Sequence, residues 1–223
     1  MNLLLNNKVI IFAGHYGSGK TNLATNLALA LNAQNHKTTV CDLDIVNPYF
    51  RTKDFQAMFS QKGVELIVSD YANSNLDVPA IPAKAYQAFD QANGKVVVDL
   101  GGDDRGALAL GRFRDKITDY QMVLVINQYR PLTSNFDDLA QIKAEIETAC
   151  GVAFTAIVNN SSLGAQTTAQ DVLASLPFAK QASDKLGLPI AATSCLKELL
   201  PDLQGRIENP FPIDIFKKEG WQI

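Results

Sequence analysis

The sequence predicts an α/β fold with three layers, in which a mainly parallel, twisted sheet carries helices on both faces. Strand-like and helix-like segments alternate along the chain, which is the pattern of parallel strands connected by helices. The strand-like segments are continuous apolar runs, such as VIIF at 9–12 and VVV at 96–98, and strands of this kind are buried on both faces. The length of 223 residues suits one domain spanning 1–223.

The predicted elements follow one another in a regular order. The first strand, 9–12, precedes a helix at 22–33 in which Leu23 and Leu27 share one face. Further strands, each a short apolar run, are predicted at 38–41, 64–68, 95–100, 121–127, 152–159 and 188–192. Further helices, each with apolar residues at helical spacing, are predicted at 52–60, 83–92, 107–117, 134–149, 167–186 and 195–200. The tail, 206–223, contains prolines and is expected to wrap the surface.

Composition narrows the class of protein. The chain is 47% hydrophobic and 19% charged, as expected of a folded domain. A net charge of -3 argues against nucleic acid as the main partner, because phosphate backbones select basic surfaces. We see no apolar run long enough to form a transmembrane segment and no signal peptide. Three scattered cysteines suit a reducing compartment, so the expected location is cytoplasmic.

A phosphate-binding loop is predicted between the first strand and the first helix. Residues 14–21, GHYGSGKT, fit the pattern G-x-x-x-x-G-K-S/T, and the strand and helix around them argue against a chance match in a Gly/Ser turn. The backbone N–H groups of such a loop point at phosphates. Lys20 is expected to neutralise the β- and γ-phosphates and Thr21 to place its hydroxyl on Mg²⁺. The predicted nucleotide contacts are Gly14, Gly17, Ser18, Gly19, Lys20, Thr21 and Asn22.

Three carboxylates follow predicted strands at the phosphate end of the sheet. Asp42 and Asp44 come directly after the second strand, and alternation along a strand aims them the same way. An aspartate that merely opens a loop is the alternative interpretation. Asp99 ends an apolar run, which is the Walker B pattern of an aspartate that reaches Mg²⁺ through a water. Either glycine at 101–102 could offer a backbone N–H to the γ-phosphate.

Amides and arginines near the strand ends are further candidates. Asn127, Asn159 and Asn160 end the fifth and sixth strands. Such an asparagine is by default a turn residue, but an amide can also hydrogen-bond a purine edge. No N-K-x-D motif for guanine is present. The sequence leaves open which arginine, if any, contacts a transferring phosphate among Arg51, Arg105, Arg112, Arg114 and Arg130.

Four segments together resemble one family. They are GHYGSGKTN at 14–22, CDLDIVNPYFR at 41–51, VVVDLGGD at 96–103 and IVNN at 157–160. Their order and spacing resemble the MinD/ParA-like P-loop ATPases, which form the CobQ/CobB/MinD/ParA nucleotide-binding group. The resemblance implies binding of ATP with Mg²⁺, slow hydrolysis, and often a homodimer that forms on ATP binding.

The resemblance also implies roles for individual residues. It implies that Lys20 and Asp44 are catalytic, with Asp44 handling the attacking water. Asp42 and Asp99 match the pair near magnesium, and Asn159 matches the asparagine that contacts adenine. One departure concerns the loop itself, because members usually carry a lysine where this chain has His15. Either His15 faces the phosphates as a conditional cation, or it is a turn residue that points to solvent.

Three functions remain open from the sequence. The first is a nucleotide switch that hydrolyses ATP and acts on an unknown protein partner. The second is an ATP-dependent small-molecule kinase or ligase, whose acceptor pocket would lie between 45 and 98 and bind a metabolite. The third is a non-catalytic scaffold, against which the intact Lys20, Thr21, Asp44 and Asp99 argue.

Overall fold

A sheet of eight strands forms the centre of the structure. The structure is a computed structural model, and it describes residues 2–44, 52–68, 83–90, 94–102 and 104–216. The strands are β1 (Val9–Ala13), β2 (Lys37–Leu43), β3 (Glu65–Val68), β4 (Gly94–Leu100), β5 (Tyr120–Ile126), β6 (Ala156–Asn159), β7 (Ile190–Leu196) and β8 (Pro210–Ile213). They lie in the order β3-β2-β4-β1-β5-β6-β7-β8, and each neighbouring pair is parallel. The predicted fold class is confirmed.

Helices cover the sheet on both sides. They are α1 (Asn2–Leu5), α2 (Lys20–Ala33), α3 (Gln56–Lys62), α4 (Ala83–Asp90), α5 (Asp104–Gly111), α6 (Phe136–Cys150), α7 (Ala169–Ala174), α8 (Leu176–Leu186) and α9 (Leu200–Leu203). Val9 and Ile11 of β1 pack into the core shared with α4, α5, α6 and α8. Ile10 and Phe12 pack into the core shared with α2 and α3. The continuous apolar runs are explained, because successive side chains enter opposite cores.

Several predicted boundaries are wrong. The helix predicted at 107–117 begins earlier and ends at Gly111. The helix at 167–186 is divided at Ser175, and α8 begins with a proline in its first turn, where the missing N–H costs nothing. The sixth strand starts at Ala156 rather than at 152. The last strand continues to Leu196, so the helix predicted at 195–200 is replaced by a 3₁₀ turn followed by α9.

The tail does more than wrap the surface. Residues 210–213 form β8, which pairs in parallel with β7 at the edge of the sheet. Phe211 and Ile213 point into the core and are buried. The alternating Pro210 and Pro212 are compatible with an edge strand, where their missing N–H groups break no ladder bond.

Several sequence predictions fall outside the described residues. These include the possible acceptor segments at 47–51, with Arg51, and at 71–82, and the end of the tail at 217–223. Within the described part of the chain, none of the helices combines the length and the apolar character required to cross a bilayer.

Candidate nucleotide-binding site

The phosphate-binding loop connects the buried strand β1 to helix α2. Gly14, Gly17 and Gly19 all have positive φ angles of 136°, 78° and 95°, which side chains rarely adopt. At Gly19 the space is closed as well, because a Cβ atom there would lie 2.2 Å from Asn160 Nδ2. The glycines of the motif thus fix the loop shape, and the P-loop prediction agrees with the backbone geometry.

A second strand end packs closely against this loop. A Cβ atom at Gly102, just after β4, would lie 2.7 Å from the Tyr16 backbone nitrogen. Only a glycine lets the two backbones come this near. The segment after β4 therefore lies against the loop, as a site built from several strand ends requires.

Lys20 is nearly buried at the first turn of α2. Its side chain is only 5% exposed, and Nζ donates a hydrogen bond to the His15 carbonyl oxygen at 3.0 Å. The same carbonyl accepts from the Ser18 N–H at 3.3 Å. The ammonium group is therefore held across the loop, where an anion bound to the loop would meet a cation already in position.

A cavity of about 310 Å³ opens beside Lys20, a size within the range of small-molecule sites. Its walls combine loop residues with groups from the ends of β2 and β5. The lining includes Gly17, Gly19, Lys20, Thr21, Asn22, Asp44 and Arg130. The structure thus places five of the predicted loop contacts around one cavity with Asp44, and Arg130, one of the arginines that the sequence left open, lies on the same cavity. The role of Arg130 stays a prediction.

Asp42 supports the position of Asp44. One oxygen of the Asp42 carboxylate accepts the Asp44 backbone N–H at 3.0 Å, and both side chains are buried. Asp42 is also the register partner of Asp99 on the neighbouring strand. The predicted carboxylates therefore gather at one edge of the sheet, and the role of Asp42 near a metal stays a prediction.

Asp99 is fully buried and half satisfied. Its Oδ2 accepts a hydrogen bond from the Thr52 hydroxyl at 2.6 Å. Its Oδ1 has no hydrogen-bond partner among the residues that the structure describes. Burial raises the pKa of Asp99 from 3.8 to about 6, and the charge of Asp44 adds to this rise. The hydrogen bond from Thr52, the nearby Thr21 hydroxyl and the charge of Lys20 act in the opposite direction and lower the pKa.

These residues fit a magnesium ion that is bound together with phosphates. An unpartnered buried carboxylate oxygen needs a partner, and Mg²⁺ prefers oxygen ligands. The described residues contain no cluster of three or more acidic, histidine or cysteine side chains that forms a cage. Mg²⁺ in nucleotide sites usually keeps several waters and takes few protein ligands, so Asp99 and Thr21 would suffice.

A stability prediction follows from the buried charge of Asp99. Because the folded-state pKa is raised above the unfolded value of 3.8, the charged carboxylate destabilises the folded protein, and this cost grows as pH rises from 4 to about 6. Without nucleotide and with EDTA, Asp99→Asn should therefore unfold at a temperature about 5 °C higher at pH 7. The gain should shrink toward pH 4. The measurement is thermal unfolding across this pH range.

Asp184→Asn is the matched control for this experiment. Asp184 is exposed and pairs with Lys180 on α8, and exposed pairs contribute little. Its unfolding temperature should follow that of the wild type at every pH. An Asp99→Asn protein that is less stable than the wild type, or a difference independent of pH, would contradict the account of Asp99.

The two adjacent asparagines at the end of β6 differ in their surroundings. Asn159 is fully buried; its Nδ2 donates to Ser175 Oγ at 2.9 Å, and its Oδ1 accepts from the Ser161 N–H and O–H. Asn160 instead donates from Nδ2 to the Ser18 carbonyl oxygen at 2.7 Å and accepts from Ser194 Oγ. The structure does not bring Asn159 to the loop, and its contact with adenine stays a prediction.

A second cavity of about 170 Å³ adjoins the first. The two cavities share Gly17, Gly19, Asn22 and Arg130. The second is also lined by Asn127, Asn160, Ser162, Ile213, Ile215 and Phe216. Sequence reasoning missed the tail residues, because the tail lies far from the loop along the chain and carries no motif.

The sequence profile of the CobQ/CobB/MinD/ParA nucleotide binding domain matches residues 9–163. The chain belongs to this family. The matched region holds the whole phosphate-binding loop, the three carboxylates at the ends of β2 and β4, and both asparagines at the end of β6. None of the curated proteins compared matches the chain.

Solved structures share the fold of this chain. The cell division protein FtsY from Thermotoga maritima has a TM-score of 0.59 and 20% identity, and the match covers 87% of this chain and 65% of that one. The chloroplast FtsY from Physcomitrella patens has a TM-score of 0.52 and 16% identity, and the match covers 84% of this chain and 58% of that one. The signal recognition particle 54 kDa protein from Aeropyrum pernix, in complex with GDP, has a TM-score of 0.51 and 15% identity, with 83% of this chain and 40% of that one covered. This MinD/ParA-like chain thus spans less than two thirds of each, and the likeness shows the fold.

In this MinD/ParA-like chain, the loop position that departs from the family pattern makes a local contact. The His15 ring Nδ1 lies 3.1 Å from the Tyr16 carbonyl oxygen. The Tyr16 side chain is 57% exposed and contributes to the lining of the larger cavity. This local hydrogen bond agrees with His15 as a turn residue. A contact between His15 and phosphate stays a prediction.

Proposed function

We propose that this MinD/ParA-like protein binds ATP with Mg²⁺, hydrolyses it slowly and acts as a nucleotide-controlled switch on a partner. The observation that carries the proposal is the assembly of Lys20, Thr21 and Asp44 around one cavity, with the carboxylate of Asp99 buried within reach of their charges. A phosphoryl-transfer site needs a fixed cation, a metal-binding hydroxyl and a carboxylate for the attacking water.

The residues divide the chemistry between them. The loop N–H groups and Lys20 hold the phosphates and stabilise negative charge as it moves toward the leaving oxygen. Asp44 orients a water and accepts its proton, while Asp42 holds the backbone of Asp44. Bound Mg²⁺ would neutralise phosphate charge, with Asp99 and Thr21 as its protein-side ligands.

ATP is the proposed nucleotide because the chain lacks the N-K-x-D motif for guanine and offers the amides of Asn127 and Asn160 beside the loop. An amide carries both a donor and an acceptor, as does the hydrogen-bonding edge of adenine. Each amide nitrogen uses one N–H in a hydrogen bond to a backbone carbonyl oxygen, which fixes the side chain and leaves its second N–H for a ligand.

The proposed partner surface is the rim of the two cavities. Tyr16, Leu132 and Leu163 are 57%, 55% and 47% exposed. Tyr16 lines the larger cavity, Leu163 lies between the lining residues Ser162 and Gly164, and Leu132 lies two residues after Arg130. Exposed apolar side chains beside a nucleotide site suit a contact that the nucleotide controls. A homodimer that forms on ATP binding, or a complex with a protein partner, would use this rim.

Phosphate release by the pure protein tests the proposal. We expect slow release from ATP that requires Mg²⁺, a lower rate with GTP, and a larger species by light scattering in the presence of ATP. Release that starts only when a metabolite is added, with phosphorylation of that metabolite, would favour the kinase interpretation. No release under any condition would contradict the hydrolase proposal, and faster release from GTP would contradict the choice of ATP.

A further inference from the structure

The C-terminal tail is attached directly to the helix that follows the phosphate-binding loop. Asn22 and Asn26 lie one turn apart on α2, so their side chains leave the same face. Both Nδ2 atoms donate to the Asp214 carbonyl oxygen, each at 2.9 Å. In return Asn26 Oδ1 accepts the Asp214 N–H at 2.8 Å, and Asn22 Oδ1 accepts the Phe216 N–H at 3.0 Å.

These four hydrogen bonds, which we call the tail clasp, replace a strand partner for the tail. Strand β8 ends at Ile213, and beyond it the backbone groups of 214–216 have no neighbouring strand to pair with among the described residues. The clasp instead satisfies the N–H and C=O of Asp214 and the N–H of Phe216 with side-chain amides. The tail is thereby attached to α2 at Asn22, the residue that follows Thr21.

The fixed tail forms one wall of the second cavity. Ile213, Ile215 and Phe216 line it, and the Phe216 ring also packs on Phe55, with ring centroids 5.7 Å apart. Ile213 is held by β8 itself. Ile215 and Phe216 follow the strand, where the clasp, an ion pair between Lys197 and Asp214, and packing on the core hold them. The two asparagines of α2 supply the hydrogen bonds to the backbone of this segment and so contribute to the position of the wall.

The chemistry of the second cavity suits a flat ring with a polar edge. Its tail side is apolar, while Asn127, Asn160 and Ser162 supply amide and hydroxyl groups. It joins the larger cavity along Gly17 and Asn22, so a ligand with phosphates on the loop could extend into it. A heteroaromatic base combines these properties, because its faces are apolar and its edge forms hydrogen bonds.

We propose that Asn22 and Asn26 are positioning residues, which hold the tail as the apolar wall of a base subsite and so set the affinity for the base of a bound nucleotide. The inference rests on the proposed function, because it needs a nucleotide whose phosphates lie on the loop. It adds a role for the tail, which lies outside the region that the family profile matches.

Asn26→Leu is the most direct test, because Asn26 takes part in the clasp without lining the larger cavity. Leucine keeps the size of the side chain and removes three hydrogen bonds, two of them to the tail. We expect ATP with Mg²⁺ to bind about tenfold more weakly, whereas tripolyphosphate, which has no base, should change by less than about twofold. Calorimetry measures both affinities, and hydrogen exchange of the Asp214 amide should accelerate.

Asn32→Leu is the matched control on the same helix. Asn32 bonds to the Lys62 carbonyl oxygen and not to the tail, so both affinities should stay at the wild-type values. Should Asn26→Leu not fold, Phe216→Ala takes its place, since it removes part of the wall and keeps the clasp. It should produce the same selective loss for ATP, and Phe216→Leu should restore most of the affinity.

The possible outcomes separate this inference from the proposed function. Equal losses for ATP and tripolyphosphate, or no loss for either, would overturn the role of the clasp. Wild-type protein that binds ATP no more tightly than tripolyphosphate would overturn the base subsite and leave the phosphate-binding loop intact. Wild-type protein that binds neither ligand would contradict the proposed function as well.

Discussion

Lys20→Met should weaken the binding of ATP with Mg²⁺ at least about 100-fold. The ammonium group is nearly buried and held across the loop by the His15 carbonyl oxygen, so it meets the phosphates without first losing much freedom. Methionine keeps the apolar part of the side chain and removes the charge. Calorimetric titration of the variant with ATP and Mg²⁺ measures the loss.

The control for this variant is Lys180→Met. Lys180 is an exposed residue of α8 that pairs with Asp184, and its loss should leave ATP affinity unchanged. Thermal unfolding of both variants verifies that they are folded. Wild-type affinity in a folded Lys20→Met protein would mean that the loop does not bind phosphate.

The second large effect is expected from Asp44→Asn, which should bind ATP normally and hydrolyse it on the order of 10²–10⁴ times more slowly. Asparagine keeps the shape of the side chain but cannot accept a proton from water at neutral pH. Asp44 lines the larger cavity, so its carboxylate is placed to act there. Single-turnover phosphate release, measured beside equilibrium binding, separates the two steps.

Asp184→Asn serves again as the exposed control and should keep the wild-type rate. If Asp44→Asn also turns over at the wild-type rate, the water-handling role does not belong to Asp44. Asp42 would then be the next residue to test, because it holds the backbone of Asp44 and lies beside Asp99 in the sheet.

The order of strands and helices could be predicted because it is written locally in the sequence. Buried strands appear as short apolar runs, and α2 shows apolar residues at helical spacing. The phosphate-binding loop could be predicted equally well, since its shape depends on glycines within one short segment. The ends of the elements were harder to predict, because the division at Ser175 and the extent of β7 depend on neighbours that are distant in the sequence.

The contacts around the loop could not be predicted, since they join distant parts of the chain. Thr52 reaches Asp99, and Asn26 holds the tail at Asp214. Asp99 ends a recognisable apolar run, but Thr52, Asn26 and Asp214 carry no local pattern. Strand β8 was missed for a related reason. Its alternating prolines indicate irregular structure, and only pairing with β7 makes it a strand.

The pair Asn159 and Asn160 shows what a motif match leaves undetermined, namely the direction of individual side chains. Successive residues of a strand point to opposite faces of the sheet. Ile157 enters the core on the α8 side and Val158 the core on the α2 side. The same alternation turns Asn159 toward Ser175 and Asn160 toward the loop. A match of IVNN to a family locates the strand end, but it does not decide which amide faces the ligand.

The most direct test of the central claim is equilibrium binding of ATP to the wild-type chain by calorimetry, with Mg²⁺ and with EDTA. The account predicts one ATP per chain, tighter binding when Mg²⁺ is present, and weaker binding of GTP under the same conditions. Absence of ATP binding, or an affinity that is the same with Mg²⁺ and with EDTA, would contradict it.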